Sequence, residues 1–149
     1  MQQTVSFVLD GKIKIIDFNG FYKPTTTVLN FLRNSAVHKG VKEGCAEGDC
    51  GACTIVIGEL DSNNKIIYKA WDSCLVFLPM LHGKQLITVE NLSNKKELHP
   101  VQKAMVECNG SQCGYCTPGI VMSLFALYKN ENSVTKETIE DALTGNLCR

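Results

Sequence analysis

Several features that would name a function class are missing from this 149-residue chain. An excess of charge of either sign is absent. Fifteen basic residues balance fifteen acidic ones, and no basic block or acidic tail points to nucleic acid or to a charged partner. Long apolar runs are absent too. The longest, residues 120–128, is nine residues and contains Ser123, far short of the roughly 20 that cross a bilayer. No secretory signal is visible, because Met1-Gln2-Gln3-Thr4-Val5-Ser6-Phe7 has no charged segment followed by an apolar one. The expected location is therefore the cytoplasm. No Ser/His/Asp, Cys/His or paired-carboxylate constellation is visible. His38, His82 and His99 stand apart from one another and from the cysteine motifs, so the chain is not expected to transform a substrate itself.

Cysteine, in contrast, is abundant, with eight in the chain. Cys45, Cys50 and Cys53 have C-x4-C-x2-C spacing, and Cys74 follows after twenty intervening residues. This is the plant-type ligand spacing of a [2Fe–2S] cluster. Sulfides and thiolates are negatively charged, so a loop holding them must wrap closely and turn backbone N–H groups inward. Gly44, Gly48 and Gly51 permit that. A disulfide framework is disfavoured without a sign of secretion. Zinc suits an isolated C-x2-C, but a C-x4-C-x2-C with a distant fourth cysteine is poor zinc spacing. Iron–sulfur ligation accounts for most of the cysteines at once. Glu43, Glu47 and Asp49 around the loop read as solvated charges.

The N-terminal half carries strand signals. Val5, Phe7 and Leu9 alternate, Asp10-Gly11 turns, and Ile13, Ile15 and Phe18 continue into a second strand. A threonine among residues 25–27 caps a helix bearing Val28, Leu29, Leu32 and Ala36. Residues 54–60, 65–70 and 85–90 read as further strands. Two strands, a helix, then more strands, with the ligands in the loop after the helix, predict a β-grasp domain like that of plant-type ferredoxins. Past a polar stretch, Ser93-Asn94-Lys95-Lys96-Glu97, the pattern becomes helical. Pro100 starts one helix, with Val101, Ala104, Met105 and Cys108 on one face. Thr117-Pro118 starts a second, apolar nearly all round and so expected to be buried centrally. Thr135 caps a third, with Ile139, Ala142 and Leu143 inward and Gly145 as its stop. The expected class is α+β. Residues 1–90 form the ferredoxin-like domain, 91–98 a linker, and 99–149 an all-α bundle incomplete at its C-terminal end.

Cys113-Gly114-Tyr115-Cys116 lies between the first two of these helices, and Cys148 follows the third. Alone, C-x2-C is a weak signal that a redox dithiol, half a zinc site or half a cluster would share. Beside a first cluster motif it reads as a second. Residues 110–119 (Gly-Ser-Gln-Cys-Gly-Tyr-Cys-Thr-Pro-Gly) and the ending Gly145-Asn146-Leu147-Cys148-Arg149 resemble the iron–sulfur part of the molybdenum hydroxylases, the family of xanthine dehydrogenase and aldehyde oxidase. So do residues 43–54, Asp72-Ser73-Cys74-Leu75, Thr88-Val89-Glu90-Asn91-Leu92 and His99-Pro100-Val101-Gln102. The resemblance runs through essentially the whole chain, with two separate cysteine signatures. In its finer detail it is closest to xanthine dehydrogenases.

The resemblance implies that Cys45, Cys50, Cys53 and Cys74 hold a [2Fe–2S] cluster on the flavin side. It implies that Cys113, Cys116 and Cys148 hold a second on the molybdopterin side, and that Gln112 contacts the pterin. Electrons would run from molybdopterin to FAD, both held on partner domains or subunits. The family places its eighth thiolate as Cys-Arg-Cys, so the fourth ligand of the second cluster is expected just beyond Arg149. Cys108, the spare cysteine, reads as a small hydrophobe on a helix face. Tyr115 reads as a shield over the cluster and Trp71 as packing. A free-standing ferredoxin shuttle and a zinc-stabilised interaction module are the alternatives to an oxidoreductase's electron-transfer part.

Overall fold

The computed structural model describes residues 3–94 and 97–148. The N-terminal hairpin pairs β1 (Thr4–Leu9) with β2 (Lys12–Asp17) in antiparallel register, from Thr4 opposite Asp17 to Leu9 opposite Lys12. Asp10 and Gly11 both take positive φ, 56° and 69°, as a two-residue hairpin turn requires. Three more strands complete a five-stranded mixed sheet. These are β3 (Thr54–Leu60), β4 (Ile66–Asp72) and a three-residue β5 (Gln85–Ile87), giving the order β2-β1-β5-β3-β4. β5 runs parallel to β1 and antiparallel to β3.

Burial follows from strand position. Val5, Phe7 and Leu9 alternate inward on β1, whereas Ile13 and Ile15 on the edge strand β2 remain 73% and 70% exposed. β3 is buried on both faces, which explains its unbroken Thr-Ile-Val-Ile run. Ile55 and Ile57 face α1 (Val28–Arg33) and a 3-10 turn at Leu78–Leu81. Val56 faces the opposite side, where Met122, Phe125 and Ala126 of α3 (Thr117–Asn130) cover the sheet. Burying a side chain such as Met122 contributes about 1.5–3 kcal/mol. The far edge of the sheet is closed by a side chain: Tyr68 N–H donates to Asn130 Oδ1 at 3.0 Å, and Asn130 Nδ2 donates back to the Tyr68 carbonyl.

α2 (Pro100–Glu107) and α4 (Lys136–Leu143) flank α3. Pro100 stands in the first turn of α2, and His99 caps it, Nδ1 accepting from Val101 N–H at 3.3 Å. Burial of the His99 ring and the nearby Lys129 hold its pKa below the ordinary histidine value.

Four expectations change. The strand expected over residues 85–90 ends at Ile87, because Asn91 Oδ1 accepts from Thr88 N–H at 2.9 Å and from Thr88 Oγ1 at 3.2 Å, folding Val89–Asn91 into a 3-10 turn. α1 ends at Arg33, leaving Ala36 exposed in the loop beyond. α3 is not buried all round. One side lies on the sheet, while Leu124, Leu127 and Tyr128 line an apolar groove with Met105 of α2 and Ile139 of α4. Gly145 does not adopt a left-handed stop, and a Cβ there would meet nothing within 4 Å; the close approach in this region is at Gly51, where a Cβ would run into the Gly145 carbonyl. Of the polar stretch at 93–97, Lys95 and Lys96 lie outside the described residues. No helix among the described residues is long and apolar enough to cross a membrane.

Candidate metal centres

The first cysteine loop hangs between α1 and β3, and its approach is tied down. Arg33 Nη1 donates to the Val41 carbonyl at 3.0 Å and Lys42 N–H to the Ala52 carbonyl at 3.1 Å. Gly40 N–H donates to Glu90 Oε1 at 2.6 Å, and the buried His38 ring contacts Thr88 Oγ1 at 2.9 Å and Asp10 Oδ2 at 3.2 Å. Sequence reading set His38 aside as isolated. It is a structural tie, built from partners 28 and 50 residues away that no local pattern announces.

Within the loop, Gly48 and Gly51 take positive φ, 86° and 67°, and Ala46 joins them at 59°. At Gly44 the demand is for space, since a Cβ there would stand 2.8 Å from Cys50 Sγ. These turns direct Glu47 N–H and Asp49 N–H at Cys45 Sγ, at 3.5 and 3.4 Å. The two amides, with the Cys50 side chain beside them, lower the Cys45 thiol to about 7. Cys53 is buried against Cys74, and burial pushes its thiol up to about 12 despite a hydrogen bond from Cys74 N–H. Cys53 Sγ also lies 3.8 Å from Asp72 Oδ1, and burial raises that carboxyl above the ordinary aspartate value.

The thiols therefore come in pairs, Cys45 with Cys50 and Cys53 with Cys74. A third pair is Cys116 with Cys148, where Cys148 is the largest influence raising Cys116, followed by burial. Cys113 is exposed beside it. No group of three or more His, Cys, Asp or Glu among the described residues is gathered for a single metal ion. Pairs suit a binuclear cluster, in which each iron takes two thiolates. With inward amides at Cys45 and a loop too close for side chains at Gly44, the donors fit a [2Fe–2S] group. Cys108 is the C-terminal cap of α2, where it is exposed and lines the apolar groove, and not on the helix face. Gln112 is exposed immediately before Cys113, and Trp71 packs against the first core.

The two cysteine sets touch. Leu147 N–H donates to the Cys50 carbonyl at 3.0 Å, which places Cys148 one residue from a hydrogen bond to a member of the first set. Tyr115, between Cys113 and Cys116, donates its hydroxyl to the Glu43 carbonyl, two residues before Cys45. The backbones approach so closely that a Cβ on Gly119 of α3 would lie 2.1 Å from the Gly51 carbonyl oxygen. Asn146 bridges the junction. Its Nδ2 reaches Gly51 O at 3.2 Å and Thr54 Oγ1 at 3.3 Å, and its Oδ1 accepts from Ser123 Oγ at 2.6 Å. Sequence reasoning did not single out Gly119, Ser123 or Asn146. Signals were present: Ser123 is a polar residue inside an otherwise apolar helix, and Gly119 and Asn146 stand in the two stretches around the second cysteine set that carry the resemblance.

Comparison with known proteins finds two matching families. Residues 21–77 match a 2Fe-2S iron-sulfur cluster binding domain and residues 88–149 a [2Fe-2S] binding domain. The xanthine dehydrogenase/oxidase of Mus musculus is 46% identical over 144 residues, 96% of this chain and 11% of that protein. The xanthine dehydrogenase of Emericella nidulans is 44% identical over 147 residues, 98% of this chain and 10% of that protein. The chain thus spans about a tenth of the length of these curated relatives. Among solved structures, a chain of quinoline 2-oxidoreductase from Pseudomonas putida 86 superposes with a TM-score of 0.80 at 27% identity. The match covers 98% of this chain and 82% of that one. The aldehyde oxidoreductase of Desulfovibrio desulfuricans also gives 0.80, at 25% identity over 99% of this chain and 15% of that one.

Proposed function

The chain belongs to the iron–sulfur portion of the molybdenum hydroxylases, and from that premise we propose that it carries electrons between a molybdopterin centre and FAD in a xanthine dehydrogenase-like oxidoreductase. Cys45, Cys50, Cys53 and Cys74 hold the flavin-side cluster. Cys113, Cys116 and Cys148 hold the molybdopterin-side cluster, its fourth thiolate expected just past Arg149. Residues 1–90 make up the β-grasp unit, 91–98 its connection, and 99–149 the helical unit. Bound at these thiols, each [2Fe–2S] group supplies one-electron carriage.

The observation that carries the reading is the hydrogen bond from Leu147 N–H to the Cys50 carbonyl. It joins one cysteine of each set through backbone and a single hydrogen bond, without intervening solvent. The protein's remaining work is electrostatic. Adding an electron to a thiolate-ligated cluster increases its negative charge, so amides aimed at the sulfur ease reduction while apolar burial opposes it. Cys45, reached by two amides, and Cys53, buried, stand at opposite ends of that balance. The exposed Gln112 beside Cys113 is the residue we assign to the pterin, by resemblance. Substrate hydroxylation belongs to the partner domain or subunit.

Metal analysis and electron paramagnetic resonance of the full-length protein test this. About four irons and two distinct [2Fe–2S] signals are expected. A colourless zinc protein would overturn the proposal, and a single signal would overturn the assignment of Cys113, Cys116 and Cys148.

A further inference from the structure

We propose that Asn146 is a positioning residue that holds the two cysteine sets in one register, controlling both the retention of Cys148 as a ligand and the interaction between the clusters. The inference rests on the cluster sites assigned above. Asn146 sits where four segments meet: the first cysteine loop at Gly51, the start of β3 at Thr54, α3 at Ser123, and the strand of chain entering Cys148. Its orientation is dictated by chemistry. The Gly51 carbonyl can only accept, so the amide nitrogen must face it. Thr54 Oγ1 already donates to that same carbonyl at 2.7 Å, so it receives the amide's second hydrogen through a lone pair. Ser123 Oγ, on the opposite side, donates to Oδ1. Each polar atom of the side chain has a partner.

This matters for the cysteines because the next residue, Leu147, makes the backbone bond to Cys50, and Cys148 comes directly after. Cys148 itself is exposed, so burial does not fix its position. The bonds of Asn146 and Leu147 do. A cavity of about 180 Å³ lies on one side of the amide, bounded by Trp71, Asp72 and Thr54 among others. Shortening residue 146 would extend that space to the Gly51 carbonyl and admit water, which would compete for the acceptor.

Asn146→Asp is the discriminating variant. It keeps the size and the Ser123 contact, removes both donors, and sets a carboxylate oxygen against the Gly51 carbonyl. Asn130→Ala is the control, since it removes another two-point side-chain-to-backbone bridge, on Tyr68, away from every cysteine. In the full-length protein, Asn146→Asp is expected to lose the second resonance signal or its spin–spin interaction with the first, whereas Asn130→Ala keeps both. In the metal-free chain, the Leu147 amide is expected to exchange with deuterium at least tenfold faster in Asn146→Asp and at an unchanged rate in Asn130→Ala. Wild-type signals and splitting in Asn146→Asp would overturn the proposal, as would an unaltered Leu147 exchange rate. If the wild-type protein itself lacks the second signal, the assignment of the second site fails and the exchange comparison alone decides the role of Asn146.

Discussion

Replacing Gly119 with alanine should separate the two cysteine sets mechanically. Gly119 is in the first turn of α3 with ordinary helical geometry, so alanine there has no backbone strain and gains helix propensity, at most about 1 kcal/mol. Against this stands the new Cβ, 2.1 Å from the Gly51 carbonyl oxygen and 3.1 Å from its carbon. Relief to even a tight 3.4 Å contact needs a displacement of about 1.3 Å. Both groups are backbone, so no side chain can rotate away. Overpacking of this kind costs about 1–3 kcal/mol, and the clash wins. A backbone-on-backbone overlap this deep sits at the upper end, about 3 kcal/mol, so the net loss is about 2 kcal/mol, or about 4–8 °C in Tm at the usual 2–4 °C per kcal/mol for a chain of this size. Visible absorption of the first cluster should fall with it, since Gly51 lies between Cys50 and Cys53. Gly145→Ala is the companion measurement, because a Cβ there meets nothing within 4 Å and needs no unusual φ. Thermal melts and visible spectra of the two variants decide the matter. A Gly119→Ala protein with unchanged or raised Tm and full colour would refute the close-approach argument.

Two further outcomes follow from the electrostatics. In the metal-free chain at pH 7.5, iodoacetamide should label Cys45 first and Cys53 last. A thiol at about 7 is about three-quarters ionised there, against about 3% for an ordinary thiol at 9.0. Peptide mapping across pH should show Cys45 reactivity levelling off above 7 and Cys53 inert until far higher, and equal rates would contradict the geometry. Glu59, between Lys69 and Lys84 at 2.8 Å from the latter, has its carboxyl lowered by both. A lowered carboxyl contributes stability above its unfolded-state pKa and loses it as pH falls through the folded-state value. Glu59→Gln should therefore cost about 0.5–1 kcal/mol at pH 7, with the gap to wild type closing in acid. Denaturant midpoints at pH 7 and below 4 measure it, and a gap that persists in acid would rule out the ion pairs as its source.

The cysteine loop was legible because its chemistry is local. Spacing and glycines lie within ten residues, and Asp10-Gly11 and Thr27 likewise act on their immediate neighbours. What escaped sequence reading acts at a distance. Asn146 meets Gly51 across 95 residues, Tyr115 meets Glu43 across 72, and Asn130 seals Tyr68 across 62. Nothing in a polar side chain's own neighbourhood announces such partners. β5 was overdrawn for a related reason. Its β-branched pattern continues through Thr88 and Val89, but the Asn91 side chain takes the hydrogen bonds that would have extended the ladder.

The joint between Cys50 and Leu147 also orders events during synthesis. Cys74 leaves the ribosome with the first thiolate set complete, yet the carbonyls of Cys50 and Gly51 still lack their partners from residues 146 and 147. At roughly 5–20 residues per second, the intervening chain takes on the order of 4–15 s to appear. Until then the first loop has its own turns, β3 and the ties of its approach to Arg33 and Glu90, but no latch from the C-terminal segment. A cluster inserted early occupies an unlatched loop, and one inserted after completion meets a site already locked from the other side of the molecule. Timing of metal delivery thus becomes a property of the chain's topology.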